Sequence, residues 1–159
     1  MIDTKNITIS CVNNNDIESL CEFEKEARTT EPDIWGWEFV ESEYKEKLKS
    51  LNINKLDNSK IIVAKLDNKI IGRCDIAIIT SLVECSKTGY VDWIYTLKAY
   101  RGLGIGKKLL KGAEKYFKSQ CVEYYFLFTA SNEQAQEFYH RQSDLSFKNR
   151  EVAEKDIVK

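Results

Sequence analysis

The spacing of hydrophobic and polar residues divides the first third of the chain into one strand and two helices. Apolar and polar residues alternate over residues 6–12, whereas apolar residues recur every three or four positions over residues 17–24 and 38–51. Alternation is the side-chain period of a β-strand, and the longer spacing is that of one face of an α-helix. The pattern therefore predicts the order strand, helix, helix, with Asn14 or Asn15 capping the first helix.

Two apolar runs in the middle of the chain predict a β-hairpin. Residues 60–66 and 69–79 are rich in isoleucine, and Asp67 and Asn68 between them suit a tight turn. Later segments continue to mix the two patterns. They predict a strand over 89–97, a helix with its apolar face at 109–117, a strand over 123–129, a helix over 132–141 and one or two short strands from residue 147 onward.

This order of elements favours an α/β fold with a largely antiparallel sheet. Strands joined by a two-residue turn cannot run parallel, so the central hairpin at least is antiparallel. The 159 residues contain one proline and no stretch rich in glycine and serine that would mark a linker. We therefore expect a single domain over residues 1–159, which is a usual size for one hydrophobic core.

Composition excludes several classes of protein. Hydrophobic residues make up 43% and charged residues 31% of the chain, unlike a fibrous, coiled-coil or disordered protein. No apolar run approaches the ~18 residues of a membrane span, and the N-terminus lacks the apolar core of a signal peptide. The five cysteines form no C-x-x-C pair and there is one histidine, so we expect neither a disulfide framework nor a metal site. These features predict a cytoplasmic protein with reduced thiols.

Negative charge is concentrated in one segment. Residues 16–46, called here the acidic block, hold eleven acidic and three basic residues, a net charge of −8, although the whole chain carries −1. A protein that binds nucleic acid does not normally present such a block, so we expect no nucleic-acid partner. Two interpretations stay open: the charges only solvate helix faces, or they attract a cationic substrate.

A glycine-rich segment between a predicted strand and a predicted helix is the strongest functional signal. Residues 101–106, RGLGIG, called here the glycine turn, precede a helix rich in lysine. Glycines let the backbone turn tightly and approach a ligand, and amides at a helix N-terminus bind phosphate. The spacing fits neither a Walker A loop, since position 101 is arginine, nor a Rossmann fingerprint, since position 107 is lysine. The alternative is a surface loop without a ligand.

Two motifs together resemble the GNAT family of N-acetyltransferases. The glycine turn resembles the family's (Q/R)-x-x-G-x-(G/A) signature for acetyl-CoA, and residues 132–139, NEQAQEFY, resemble its N-x-x-A-x-x-F-Y helix. The chain departs from the family after Tyr139, where a short segment ending in Gly-Phe is replaced by a longer one that reaches Phe147 without glycine. The resemblance implies a mixed, largely antiparallel central sheet flanked by helices, with acetyl-CoA bound at a splay between two central strands.

The resemblance also implies which residues bind acetyl-CoA as a co-substrate. Amides of the glycine turn would hold its diphosphate and free backbone groups of residues 94–96 its pantetheine arm, while the amide of Ile94 would polarise the thioester carbonyl. Asn132 would bind the pantetheine end, and it can at the same time be the N-cap of a helix. The implied cofactor-binding residues are Ile94, Tyr95, Thr96, Arg101, Gly102, Leu103, Gly104, Ile105, Gly106, Lys107 and Asn132.

Asp92 and Tyr139 are the catalytic candidates. Asp92 precedes Ile94 by two residues on one predicted strand and shares its face unless a bulge intervenes. It can take a proton from the amine, act through a water, anchor an ammonium group, or be an ordinary strand residue. By the resemblance, Tyr139 would donate a proton to the departing thiolate, although it can also be a core aromatic. His140 points elsewhere on the helix and is expected at the surface.

The acidic block also contains a candidate acceptor site. In the family, the segment between the first strand and the hairpin forms one wall of the acceptor cleft, and here it combines carboxylates with tryptophans. We therefore expect transfer to a primary amine of a cationic small molecule, aminoglycoside- or polyamine-like. The alternatives are a protein lysine or N-terminus as acceptor, and a non-catalytic acyl-CoA-binding module. C-terminal strands would offer a homodimer surface. The candidate substrate residues are Asp33, Trp35, Trp37, Glu38 and Tyr90.

Overall fold

The computed structural model describes residues 4–36 and 38–157, which form a mixed sheet flanked by helices. Its strands are β1 (Thr8–Cys11), β2 (Ser59–Leu66), β3 (Lys69–Ser81), β4 (Ser86–Thr96) and β5 (Tyr124–Leu127). Its α-helices are α1 (Ile17–Thr30), α2 (Glu41–Leu51), α3 (Ile105–Ser119) and α4 (Glu133–His140). The strands lie in this order across the sheet, and all neighbours are antiparallel except β4 and β5, which are parallel. The predicted fold class is confirmed.

The predicted central hairpin is also present. β2 and β3 pair antiparallel on either side of Asp67 and Asn68, which have φ angles of 48° and 68°. Aspartate and asparagine tolerate this left-handed region better than other side chains because their short polar groups bond locally. The turn chemistry read from the sequence therefore sets the register of the hairpin.

The first helix begins differently from the prediction. Asp16, rather than Asn14 or Asn15, is the N-cap of α1 and makes no side-chain capping bond there; the capped element is the short 3-10 turn before it, where the Asn13 side chain accepts a hydrogen bond from the Asn15 amide at 2.8 Å. The carboxylate of Asp16 in turn accepts one from the Asn13 amide at 3.0 Å. This reciprocal pair closes a short 3-10 turn, and α1 starts directly after it.

The strands expected from residue 147 onward are absent from the part of the chain that the structure describes, so that prediction is wrong. Residues 141–157 hold no regular helix or strand. Phe147, Val152 and Ile157 are 48%, 54% and 91% exposed. Charged residues lie between these apolar positions, so the segment has no continuous apolar face to pack on a sheet. A homodimer stays a prediction, without these strands as its basis.

The structure divides into two compact units, residues 1–127 and residues 128–159. The first contains the sheet, α1–α3, the glycine turn and the acidic block, and the second contains α4. A single domain over residues 1–159 stays a prediction.

Helices cover both faces of the sheet in the first unit. On one face α3 packs so closely on β3 that a Cβ at Gly72 would lie 2.8 Å from Ile105 and 3.1 Å from Leu109. On the other face Leu20 and Phe23 of α1 belong to a buried core cluster with residues of β2, β3 and β4. The close approach of α3 positions its N-terminus beside the end of β4, where the glycine turn lies.

Candidate active site

Strand β4 leads toward the glycine turn and has an open edge before it. β4 pairs with β3 as far as Thr96, whereas its pairing with β5 ends at Val91 opposite Leu127. Among the described residues, no strand continues along that edge of β4 beyond Val91. Residues 92–96 therefore present backbone groups where β4 extends beyond its pairing with β5, which is the last strand of the described sheet.

A β-bulge places Asp92 outside the regular alternation of β4. The register pairs Asp75 with Trp93 and Ile76 with Val91, so Asp92 is an extra residue opposite β3. A bulge of this kind bends the strand and redirects a side chain, and it is common beside active sites. Alternation therefore does not determine where Asp92 points.

Tyr90 lies on the α1 and α2 side of the sheet and interacts with Asp92. Burial, together with the hydrogen bond to Asp92 and its negative charge, raises the pKa of Tyr90, so the phenol keeps its proton and donates it. The Tyr90 ring stacks on Phe126 with centroids 5.0 Å apart. The register places Tyr90 and Ile94 on opposite faces. Asp92 is exposed, and because the bulge intervenes, alternation along β4 no longer assigns it to the face of Ile94.

Three rings form an aromatic wall on this side of the sheet. Trp35, Trp93 and Tyr95 pack with ring centroids 5.4–5.5 Å apart, and the guanidinium of Arg28 lies 4.4 Å from the Trp35 ring. The indole N–H of Trp35 is buried and, among the described residues, makes no hydrogen bond. Trp37, another predicted substrate residue, lies outside the described residues.

A buried ionic network packs against the aromatic wall, and the sequence analysis did not predict it. Arg73, 7% exposed, donates to Glu24 at 2.8 Å, to the Tyr44 hydroxyl at 2.6 Å and to both oxygens of Asp75. Burial disfavours the charged guanidinium, yet the nearby carboxylates hold the pKa of Arg73 above its ordinary value. The one available signal was Glu24, an acid at an apolar helical position. The network joins β3 to α1 and α2.

The glycine turn adopts a conformation that requires glycine. Gly102 and Gly104 have φ angles of 78° and 74°, and a Cβ on either would meet no atom within 4 Å. Neighbouring atoms therefore do not exclude a side chain at these positions. The left-handed backbone disfavours one instead, because residues other than glycine adopt this conformation at a cost of about 1–2 kcal/mol. The same observation shows that the space beside both glycines is open.

The turn ends in a helix N-terminus without a side-chain cap. Gly104 is the N-cap of α3, and the first helical bond runs from the Lys108 amide to the Gly104 carbonyl at 3.1 Å. The amides of residues 105–107 precede that bond, so an anion can take their hydrogen bonds with help from the helix dipole. Lys107 is exposed beside them, whereas the Lys108 ammonium donates to the Thr4 carbonyl at 3.0 Å.

Arg101, the first residue of the turn, is turned back onto the end of α1. One guanidinium nitrogen donates to the Glu31 carboxylate at 2.9 Å and a second makes a shorter contact with it. The Tyr95 hydroxyl donates to the same carboxylate at 2.5 Å. Burial opposes the charge, but these two donors outweigh it and hold the pKa of Glu31 below its ordinary value. The tip of Arg101 thus faces a carboxylate.

The acidic candidates of the acceptor segment are exposed. Asp33 lies in the 3-10 turn Pro32–Ile34 and Glu38 lies before α2, on either side of the partly buried Trp35. Exposed carboxylates next to an aromatic wall offer a cation both charge and ring faces.

In the second unit, Asn132 and Tyr139 occupy opposite ends of α4. The Asn132 side chain accepts a hydrogen bond from the Ala135 amide at 2.9 Å and so caps the helix. Tyr139 is buried, with its ring centroid 5.2 Å from that of Phe138. His140 is exposed and stacks on Phe147. The roles of Asn132 and Tyr139 toward acetyl-CoA stay predictions.

Two further findings concern residues 4–36 and 38–157 as a whole. No cluster of histidine, cysteine, aspartate and glutamate side chains there is suited to hold a metal ion. No helix in the same residues has the length and apolar character needed to cross a membrane.

Comparison with known proteins identifies a family model that matches the sequence and solved structures that share the fold. The family model described as Acetyltransferase (GNAT) family matches residues 18–143. A search of curated protein sequences finds no match. The family match includes the glycine turn and extends through α4.

Solved structures with the same fold include several acetyltransferases of low identity. An aminoglycoside acetyltransferase from an uncultured soil metagenomic sample, in complex with sisomicin, has a TM-score of 0.78 at 17% identity over 98% of each chain. Aminoglycoside N-acetyltransferase AAC(6')-Iy in complex with CoA has a TM-score of 0.74 at 15% identity over 96% of this chain and 95% of that one. A ribosomal-protein-alanine N-acetyltransferase from Brucella melitensis biovar Abortus 2308 has a TM-score of 0.72 at 15% identity, covering 94% and 99%.

Proposed function

The chain belongs to the acetyltransferase (GNAT) family, and we propose that it transfers an acetyl group from acetyl-CoA to a primary amine of a cationic small molecule. The observation that carries the proposal is the conformation of the glycine turn, which leaves open space at Gly102 and Gly104 in front of an uncapped helix N-terminus. A diphosphate suits this arrangement of amides, because unpaired amides at a helix N-terminus bind phosphate groups. The family's use of acetyl-CoA agrees with it.

All the residues proposed to hold acetyl-CoA except Asn132 lie between residues 94 and 107. The amides of residues 105–107 and the charge of Lys107 suit the diphosphate, and the open edge of residues 94–96 suits the amide groups of a pantetheine arm. Acetyl-CoA supplies the acetyl group as an activated thioester. The Ile94 amide is the proposed donor to the thioester carbonyl, which is where negative charge develops during acyl transfer.

Asp92 is proposed to prepare the amine. A primary amine of the lysine type has a pKa near ~10.4, so it arrives protonated at neutral pH and must lose a proton before its nitrogen attacks. Asp92 accepts that proton directly or through a water, and Tyr90 keeps its carboxylate oriented. A carbon–nitrogen bond forms as the carbon–sulfur bond breaks; the attacking nitrogen loses its second proton to solvent, and the Tyr139 hydroxyl supplies a proton to the departing sulfur and regains one from solvent.

Neutralising the exposed acids of the acceptor segment is expected to weaken amine recognition. Asp33→Asn combined with Glu38→Gln should raise KM for a polyamine or aminoglycoside by about fivefold, since exposed charges contribute only about 0.2–1 kcal/mol each. Raising the salt concentration should reproduce the effect in the native enzyme. Glu43→Gln, an exposed acid of α2 that faces Lys47, is the matched control. An unchanged KM in the double variant would remove these two residues from the acceptor site.

The direct test of the function is consumption of acetyl-CoA over a panel of amines. The panel contains aminoglycosides, polyamines, a lysine peptide and a peptide with a free N-terminus. We expect turnover with the highest kcat/KM for the polycationic small molecules. Preference for either peptide would assign a protein acceptor instead, and CoA binding without turnover of any amine would leave a binding module. Failure to bind CoA would contradict the proposal altogether.

A further inference from the structure

Glu31 lies between the end of α1 and the candidate acceptor segment, and its side chain contacts the glycine turn. Its backbone ends α1, where its amide donates to the Ala27 carbonyl at 3.1 Å, and Pro32 directly after it begins the 3-10 turn of the acceptor segment. Its side chain, 18% exposed, extends instead to Arg101 at the start of the glycine turn. One residue thus joins two parts of the site that are 70 residues apart in sequence.

The contacts of Arg101 hold its side chain on three sides. The Glu31 carboxylate accepts from two guanidinium nitrogens, the Thr96 carbonyl accepts from the third at 3.1 Å, and the guanidinium carbon lies 5.2 Å from the Tyr95 ring centroid. Charge-assisted bonds of this fork geometry are among the strongest side-chain contacts. They fix the end of β4 and the first residue of the turn relative to each other.

The same carboxylate reaches the aromatic wall. Tyr95 donates its hydroxyl to Glu31 at 2.5 Å, and the Tyr95 ring stacks on Trp93 at an interplanar angle of 3°. Glu31 therefore orients both Tyr95, a ring of the aromatic wall, and Arg101, the first residue of the glycine turn.

We propose that Glu31 is a positioning residue that prepares the glycine turn for acetyl-CoA. By holding the Arg101 guanidinium against β4, it shapes the turn before the ligand arrives, and the diphosphate is bound by backbone amides rather than by the Arg101 side chain. Preorganisation of this kind raises affinity because less conformational freedom is lost on binding. The inference rests on the proposed function, since it concerns the same cofactor site.

The test is CoA affinity in charge-neutral variants, measured by isothermal titration. Glu31→Gln keeps the shape of the side chain and should weaken CoA binding about tenfold, the equivalent of about 1.4 kcal/mol. The value of kcat at saturating acetyl-CoA should change less than about threefold, because the interaction is made before the chemical step. Glu26→Gln is the matched control, because Glu26 is a partly exposed carboxylate of α1 that pairs with Lys69 of β3. This variant should bind CoA within about twofold of the native chain.

A double variant distinguishes positioning through Arg101 from a general loss of stability. Glu31 and Arg101 act through one contact, so their effects on CoA affinity should not add. The double variant Glu31→Gln, Arg101→Gln should have a CoA affinity no lower than that of whichever single variant binds CoA more weakly. If Glu31→Gln does not fold, Arg101→Lys carries the test, since lysine keeps the charge but cannot bond Glu31 and Thr96 together; it should also weaken binding. Equal CoA affinity in Glu31→Gln and Glu26→Gln, or in Arg101→Lys and the native chain, overturns the inference. Native protein that binds no CoA would contradict the proposed function instead.

Discussion

Replacing Gly104 with valine is expected to weaken CoA binding by at least about 100-fold, a loss of about 2.7 kcal/mol. Gly104 has a φ angle of 74° at the N-cap of α3, a conformation that strains a β-branched side chain. A Cβ there meets no protein atom within 4 Å, so the new side chain would occupy the open space where we place the diphosphate. Strain and obstruction act together, and isothermal titration with CoA measures their sum.

Gly36→Val is the matched control for this substitution. A Cβ at Gly36 likewise meets nothing within 4 Å, and Gly36 is not among the glycines with positive φ. We expect its CoA affinity to stay within about twofold of the native value. The unfolding temperature of each variant without ligand separates strain from obstruction, since strain alone lowers stability by about 1–2 kcal/mol. A Gly104→Val variant that binds CoA as tightly as Gly36→Val would contradict the placement of the diphosphate.

Asp92→Asn and Tyr139→Phe are each expected to lower kcat by about 100-fold or more, which is the usual contribution of a general base or acid. Asparagine keeps the shape of Asp92 and its contact with Tyr90 but cannot take a proton from the ammonium group. Phenylalanine keeps the ring of the buried Tyr139 but has no proton for the departing sulfur. Steady-state kinetics with the best amine of the panel measures both, and KM for acetyl-CoA should change little.

Controls of the same chemistry lie elsewhere in the chain. Asp67→Asn replaces an exposed aspartate in the β2–β3 turn, and Tyr116→Phe replaces a partly buried tyrosine of α3. Both should retain kcat within about twofold. If Asp92→Asn or Tyr139→Phe has a kcat equal to its control, that residue has a structural role and not a catalytic one.

The elements that local chemistry determines were predictable from the sequence. The hairpin follows from two apolar runs around Asp67 and Asn68, whose side chains tolerate the left-handed turn that the structure contains. The glycine turn follows from a strand, spaced glycines and an amphipathic helix. Each of these depends on residues within about ten positions of one another, a range over which pattern and turn chemistry agree.

Features that depend on distant residues were not predictable. Arg73 and Glu24 form one buried network although they are 49 residues apart, and an apolar run containing one arginine gives no partner for it. The bulge at Asp92 depends on the register of β4 against β3, which alternation within β4 does not reveal. The pairing of Glu31 with Arg101 is equally non-local. These are the contacts that orient the candidate site.

The most direct measurement for the whole account is a crystal structure of the protein with acetyl-CoA. We predict the diphosphate within hydrogen-bond distance of the amides of residues 105–107, the pantetheine arm along residues 94–96, and Arg101 still on Glu31. A diphosphate bound anywhere else, or Arg101 released from Glu31 to contact it, would contradict the account.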